Sequence, residues 1–228
     1  MKKKTFEIHT LMTTILFGML ILSFIYGTGG IVFSTAGKMA FFDRSRMEYA
    51  KITLQCILGL TVLFLPAALE HRFKITFSNE MHILFVLFLY GAIILGEVQG
   101  YYKKFFHWDT LLHTLSGVML SSFGFCIIDI INKSEKVNLA LSDLFMAFFS
   151  FCFAVTLGAI WEIVEFMMDV VMDLNMQQYN LPDGTVLTGH YAVVDTMKDL
   201  IVDTLGALLI SVIGYILLKR QKSASVKK

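Results

Sequence analysis

The chain has 228 residues, of which 56% are hydrophobic and 16% are charged, and its formal net charge is +1. Soluble domains average about 45–50% apolar and about 25% charged residues, so this composition indicates a membrane protein. The small net charge provides no basic field for nucleic acid, and nucleic-acid binding is excluded. The three cysteines all lie within apolar runs, which is typical of buried hydrophobic residues and not of disulfides or zinc sites.

Long apolar runs predict an all-α fold, a polytopic transmembrane helical bundle with about six spans in one membrane domain covering residues 1–228. For the first run the alternative is a signal peptide, because Ser34-Thr-Ala36 resembles a cleavage site. The spans that follow favour an uncleaved helix. Residues 28–47 are compatible with a loop, a re-entrant segment or an interfacial helix. The predicted spans are residues 11–27, 52–69, 81–97, 110–131, 142–168 and 200–218.

The distribution of lysine and arginine predicts the orientation of the chain. With the N-terminus inside, the inner segments hold 12 of the 19 basic residues and the outer segments hold 7. Positive charge is enriched on the cytoplasmic side of membrane proteins, so both termini are predicted inside. The basic residues between the first two spans oppose this orientation.

Acidic residues recur at helical spacing at the ends of the last spans. Glu162, Glu165 and Asp169 follow an i, i+3, i+7 pattern, which puts them on one helix face. Because consecutive spans alternate in direction, the C-terminal ends of spans three and five meet the N-terminal ends of spans four and six at one membrane face. The groups predicted to converge there are Glu97, Asp109, His113, Glu162, Glu165, Asp169, Asp195, Asp199 and Asp203.

Ordinary interfacial acids are the alternative to a binding site. The helix dipole favours acids near helix N-termini, which accounts for Asp109, Asp195 and Asp199. It does not account for acids at the C-terminal end of span five, where the dipole opposes them, nor for Asp203, about two turns inside its helix. Crowded carboxylates must share protons or a cation. The predicted metal ligands are Asp109, His113, Glu162, Glu165, Asp169, Asp195, Asp199 and Asp203, with Glu97 and His190 as further candidates.

Carboxylates with one imidazole suit a divalent metal ion, and the pattern does not distinguish Mg²⁺, Mn²⁺, Fe²⁺ and Zn²⁺. The Glu-x-x-His element of di-iron bundles is absent from the sequence, as are the zinc-protease and nucleotide-binding motifs. No residue is assigned a catalytic role. The serines of span four and four glycines are instead predicted to form helix-packing contacts. They are Ser116, Ser121, Ser122, Gly117, Gly124, Gly158 and Gly206.

The sequence from Trp161 to Phe166, Trp-Glu-x-x-Glu-Phe, is followed by an Asp195-x-x-x-Asp199-x-x-x-Asp203-x-x-Gly206 stretch. Together with Asp109-x-x-x-His113, it resembles the bacterial inner-membrane family of unknown function typified by YjdF. The resemblance covers roughly residues 80–218 and implies a multi-pass protein of the bacterial cytoplasmic membrane. A weaker similarity joins the last stretch to VanZ-like membrane proteins. Neither resemblance implies a reaction.

Three functions remain open from the sequence. The first is a metal-dependent hydrolase or transferase acting on a lipid-linked or envelope substrate at the acidic cluster. The second is a transporter of cations or protons that uses the same acids. The third is a non-catalytic envelope protein whose acids bind a basic partner. The lipid bilayer is the expected surroundings in all three.

Overall fold

The computed structural model describes residues 2–34, 44–132, 140–181 and 183–225. Helices dominate this part of the chain, which contains no β-strand, and an isolated bridge joins Asn180 to Val186. Among the described residues, six helical segments are long and apolar enough to cross a membrane. The prediction of an all-α polytopic membrane protein with about six spans is therefore confirmed.

The chain divides into two compact units, Met1–Trp108 and Asp109–Lys228. The first helix of the first unit is α1 (Lys2–Phe33), which includes the whole of the first predicted span. The others are α2 (Arg46–Leu63), α3 (Leu65–Phe73), α4 (Asn79–Leu89), a π-helix (Tyr90–Val98) that continues α4, and α5 (Tyr101–Lys104).

The segment 28–47 joins α1 to α2, and its ends are helical. Helix α1 continues to Phe33, and α2 begins at Arg46 behind an N-terminal cap in which Ser45 accepts a hydrogen bond from the backbone N–H of Glu48. The centre of the segment, residues 35–43, lies outside the described residues, as does most of the cleavage-site motif. The choice between loop, re-entrant segment and interfacial helix therefore stays open there.

Glu97 lies at the end of the π-helix in the first unit. Its carboxylate accepts a hydrogen bond of 2.9 Å from the Gln55 side chain of α2 and lies 3.7 Å from the Lys51 ammonium group. The Arg44 guanidinium donates to the backbone carbonyls of Glu97 and Val98. Gln55 thus forms a hydrogen bond between helices, and Glu97 has partners within its own unit.

The second unit is built from three long helices. They are α6 (Trp108–Asn132, whose first residue ends the first unit), α7 (Asp143–Met172) and α8 (Val194–Ser225), with a 3₁₀-helix (Gly189–Val193) leading into α8. A loop of irregular backbone connects α7 to the 3₁₀-helix. This loop lies at the same end of the unit as the start of α6, since its Gln178 side chain contacts Asp109.

Glycines set the spacing of these three helices. A Cβ atom on Gly117 would collide with the backbone of Asp203, and one on Gly206 would approach the Thr114 carbonyl oxygen to 2.6 Å. Gly117 contacts Asp203, and further along both helices Ser121 and Ser211 form a hydrogen bond of 3.1 Å, so α6 and α8 run parallel. Gly124 packs in the same way on the α7 backbone. The prediction of helix-packing contacts is confirmed for Gly117, Gly124, Gly206 and Ser121.

Helices α7 and α8 are apolar outside and acidic inside. On α7, Ile163 and Val170 are exposed on the helix surface, whereas Glu162 and Glu165 are buried between the helices. On α8, Leu205 is exposed and Asp199 is buried. Lipid can solvate the outer faces, and ionisable groups in membrane helices face the bundle interior. The acids are therefore enclosed by protein at the end of the unit where α7 finishes and α6 and α8 begin.

Candidate metal centre

His113 of α6 is the centre of the acidic cluster. Its Nδ1 atom lies 3.1 Å from Asp203 Oδ2 and 3.9 Å from Glu162 Oε1, and its Nε2 atom lies 3.8 Å from Asp109 Oδ1. The imidazole thus has carboxylates from all three long helices around it, and it is 6% exposed. Three helices converge on one ring because the glycine contacts bring their axes close.

Asp203 orients this ring. Its Oδ2 atom is the nearest acceptor to His113 Nδ1, and its Oδ1 atom accepts a hydrogen bond of 2.5 Å from the Ser116 hydroxyl group. A carboxylate can only accept, so this contact places a proton on Nδ1, and in the neutral ring the lone pair is then on Nε2. Metal-binding histidines are commonly held in this way, with a carboxylate behind the ring. The geometry assigns Asp203 a supporting position behind His113.

Asp109, His113 and Asp199 can offer ligands to one metal ion. Each has a ligand atom, and the three atoms all lie within 4.8 Å of one another. Asp109 is held in place by the Gln178 side chain, which donates to its Oδ2 atom across 3.0 Å. Asp199 is 1% exposed. Two carboxylates and an imidazole form a ligand set that Mg²⁺, Mn²⁺, Fe²⁺ and Zn²⁺ all accept, so the set fits a divalent ion.

Several carboxylate oxygens of the cluster are buried without a hydrogen bond within the described part of the chain. Both oxygens of Glu162, both of Asp199 and Oδ2 of Asp195 are in this state. The nearest ammonium group is that of Lys198, 3.8 Å from Asp195 and 4.0 Å from Asp199, on a side chain that is 35% exposed. A buried charge without a partner is strongly unfavourable, so these oxygens require a positive ligand or protons.

The remaining predicted ligands have other surroundings. Glu165 accepts a 2.8 Å hydrogen bond from the Trp161 indole, which lies one turn earlier on α7. Asp169 accepts hydrogen bonds from the backbone N–H groups of Met176 and Gln177, and so anchors the start of the loop that follows α7. His190 is exposed in the 3₁₀-helix.

Sequence reasoning missed the role of two residues in the cluster, Ser116 and Gln178. Ser116 was assigned to helix packing, but it lies one turn beyond His113 on α6 and donates to Asp203, and this spacing could have revealed the contact. Lys198, which lies between two of the predicted acids in the sequence, approaches both of them. Gln178 gave no signal, because it reaches Asp109 from an irregular loop in which its own backbone is left-handed, with φ of 49°.

We expect the Asp203→Asn substitution to weaken binding of Mn²⁺ by roughly 10–100-fold, because loss of a group behind a metal-binding histidine has effects of this size. The amide can present its N–H₂ group to Nδ1 and favour the wrong tautomer of His113. Isothermal titration calorimetry of the detergent-solubilised protein measures the effect. Ser122→Ala is the matched control, since its hydroxyl bonds only to the Val118 carbonyl of the same helix. Equal affinities for the two variants would contradict the supporting role of Asp203.

The chain is similar to a protein family and to an individual relative. The model of a family described as "Predicted membrane protein (DUF2238)" matches residues 8–220. An uncharacterized protein of Thermotoga maritima is similar, with 31% identity over 108 residues. The match covers 47% of this chain and 47% of that relative, so it spans about half of the relative's length. No solved structure matches the chain.

Proposed function

The chain belongs to the DUF2238 family of predicted membrane proteins, and we propose that it is a metal-dependent membrane enzyme, a hydrolase or transferase whose substrate is lipid-linked or part of the cell envelope. The observation that carries this proposal is the set of Asp109, His113 and Asp199, the last two of them buried, with ligand atoms within 4.8 Å of one another. The two oxygens of Asp199, which accept no hydrogen bond within the described residues, support it, because a cation bound there would supply positive charge.

A divalent ion in this set would polarise a phosphoryl or carbonyl oxygen and activate water. The residues of the chain have distinct tasks around it. Asp203 keeps the proton of His113 on Nδ1, so that Nε2 can act as a ligand. Gln178 fixes Asp109 from the loop side. The Lys198 ammonium group, partly exposed at the edge of the cluster, can attract an anionic substrate group.

We place the protein in the bacterial cytoplasmic membrane with both termini inside, from the lysine and arginine distribution. In that orientation the start of α6 faces the outer side. The cluster lies in the first two turns of α6, at the depth of lipid headgroups and just below them. A substrate attached to lipid can reach this depth by lateral diffusion, which supports a lipid-linked substrate.

Packing below the cluster favours an enzyme over a transporter. About two turns beyond His113, Ser121 and Ser211 satisfy each other by a hydrogen bond, and Gly124 lies against the backbone of α7. A transport path needs polar groups that continue across the bilayer. Close backbone contact at this level of the second unit instead supports a site that opens to one side.

The test uses the full chain reconstituted into vesicles made from bacterial lipid extract. We expect incubation with Mn²⁺ to change the lipid-linked species detected by mass spectrometry, and EDTA or the Asp109→Asn substitution to prevent the change. Asp183→Asn, in the exposed loop, is the control and should retain activity. Ion flux across the same vesicles, with no change in lipids, would overturn the proposed enzymatic function and indicate a transporter. Absence of bound metal would overturn the metal-dependent function itself.

A further inference from the structure

We propose that the cluster holds a second divalent cation beside the first, bound by Glu162 and Asp195 and bridged to the first ion by Asp199. This inference rests on the proposed function for the first ion, which Asp109, His113 and Asp199 would bind. It adds a binding site for a hard divalent cation such as Mn²⁺ or Mg²⁺. The ligands of this site are carboxylates that the first ion would not bind.

The first support is the set of oxygens left over after one ion is bound. Each of Asp109, His113 and Asp199 contributes a single atom to the group of three. The second oxygen of Asp199, both oxygens of Glu162 and Oδ2 of Asp195 remain buried without hydrogen-bond partners within the described residues. Glu162 is 4% exposed and Asp199 is 1% exposed, so water cannot compensate either carboxylate from outside.

The second support is the position of these groups. Glu162 Oε1 lies 3.9 Å from Nδ1 of His113, the imidazole that would bind the first ion. Asp195 and Asp199 lie one helical turn apart on α8, and both approach the same Lys198 ammonium group. Asp199 lies between the two proposed groups of ligands, and a carboxylate can bridge two ions through its two oxygens. Paired metal ions in enzymes lie about 3.5–4 Å apart.

The third support is the balance of charge. His113 would bind the first ion as a neutral ligand through Nε2, so it contributes no charge, and Asp203 keeps its negative charge. Five carboxylates approach either His113 or Lys198, those of Asp109, Glu162, Asp195, Asp199 and Asp203. Lys198 supplies one positive charge, which leaves a formal charge of about −4. One divalent cation neutralises half of this charge, and two neutralise it.

The ligand set selects the type of ion. The second site offers only carboxylate oxygens, which are hard ligands that favour Mg²⁺ and Mn²⁺ and disfavour soft ions. Mn²⁺ is therefore the probe, because it is paramagnetic. Two Mn²⁺ ions that share a carboxylate are magnetically coupled, whereas a single bound Mn²⁺ ion gives the resolved hyperfine pattern of an isolated centre.

The experiment measures the number of Mn²⁺ ions per chain in the purified, detergent-solubilised protein and records its electron paramagnetic resonance spectrum. We expect two ions per chain and a coupled spectrum. In Glu162→Gln and, separately, Asp195→Asn, we expect one ion and the spectrum of an isolated centre. The control is Asp143→Asn, at the opposite end of α7, which should still bind two ions.

The outcomes separate this inference from the proposed function. One uncoupled ion in the unsubstituted protein would overturn the second site and leave the metal-dependent function intact. No bound ion would overturn both. Two ions in both Glu162→Gln and Asp195→Asn would overturn the ligand assignment. Because the unsubstituted protein is decisive by itself, a variant that fails to fold does not weaken the test.

Discussion

The Asp199→Asn variant is expected to lose binding of divalent cations, with a loss of affinity well beyond the roughly 10–100-fold that removal of a supporting group causes. Asp199 is the most deeply buried acid of the cluster, and neither of its oxygens has a hydrogen bond within the described residues. Asparagine preserves the volume of the side chain and removes the negative charge. Calorimetric titration with Mn²⁺ gives the affinity directly.

The same substitution should stabilise the protein when metal is absent. An unsatisfied buried polar group costs about 1–3 kcal/mol, and a charged one costs more, so removal of the charge should raise the thermal midpoint in EDTA. Saturating Mn²⁺ at 100 times the dissociation constant should add about 2.7 kcal/mol to the unsubstituted protein and nothing to the variant. A substitution that raises stability without metal but removes the stabilisation by Mn²⁺ is the behaviour expected of a metal ligand. A variant less stable than the unsubstituted protein in EDTA would make Asp199 a structural residue.

The second large effect is expected from Gly117→Leu. The Cβ atom of any larger residue at this position meets the backbone of Asp203, which cannot rotate away as a side chain could. Overpacking typically costs about 1–3 kcal/mol, and we expect the upper end of this range or more because α6 and α8 must separate. For a chain of this size, that loss lowers the thermal midpoint by roughly 6–12 °C. Circular dichroism in detergent, at a fixed scan rate, measures the midpoint.

Gly18→Leu in α1 is the matched control for this substitution. A Cβ atom at Gly18 meets nothing within 4 Å, and the position lies within a membrane span, so the larger apolar side chain should be tolerated. Gly117→Leu should also weaken Mn²⁺ binding, because separation of α6 from α8 moves His113 away from Asp203 and Asp199. Normal affinity together with normal stability would show that the two helices are not held at this distance by glycine.

The membrane class, the helical fold and the family could all be predicted from the sequence. Apolar runs are sufficient to identify spans, and alternation of helix direction is sufficient to bring the ends of α6, α7 and α8 to one face. Membership of a membrane family without an assigned reaction is confirmed by the match over residues 8–220. The glycine contacts were also correctly predicted, since small residues in spans commonly mark close helix packing.

Individual roles within the cluster could not be predicted in the same way. Helical spacing places Asp199 and Asp203 on one face as equivalent acids, but rotation of α8 gives one of them an imidazole and a hydroxyl partner and leaves the other without either. Asp169 shares the face of Glu162 and Glu165, yet the following loop folds back and uses its carboxylate for backbone hydrogen bonds. Such differences depend on side-chain orientation and loop path, which periodicity does not encode.

The touching backbones of α6 and α8 also determine how long an acid in the cluster can be. Both helices contribute aspartate to it, whereas α7 contributes Glu162 and Glu165, and its Asp169 binds the following loop instead. Where glycine lets two main chains meet, an additional methylene group has no space, so a short acid is needed. The choice between aspartate and glutamate at each position therefore records the local distance between helix axes, and in related sequences an exchange of one for the other should accompany a change in the size of the residue it faces.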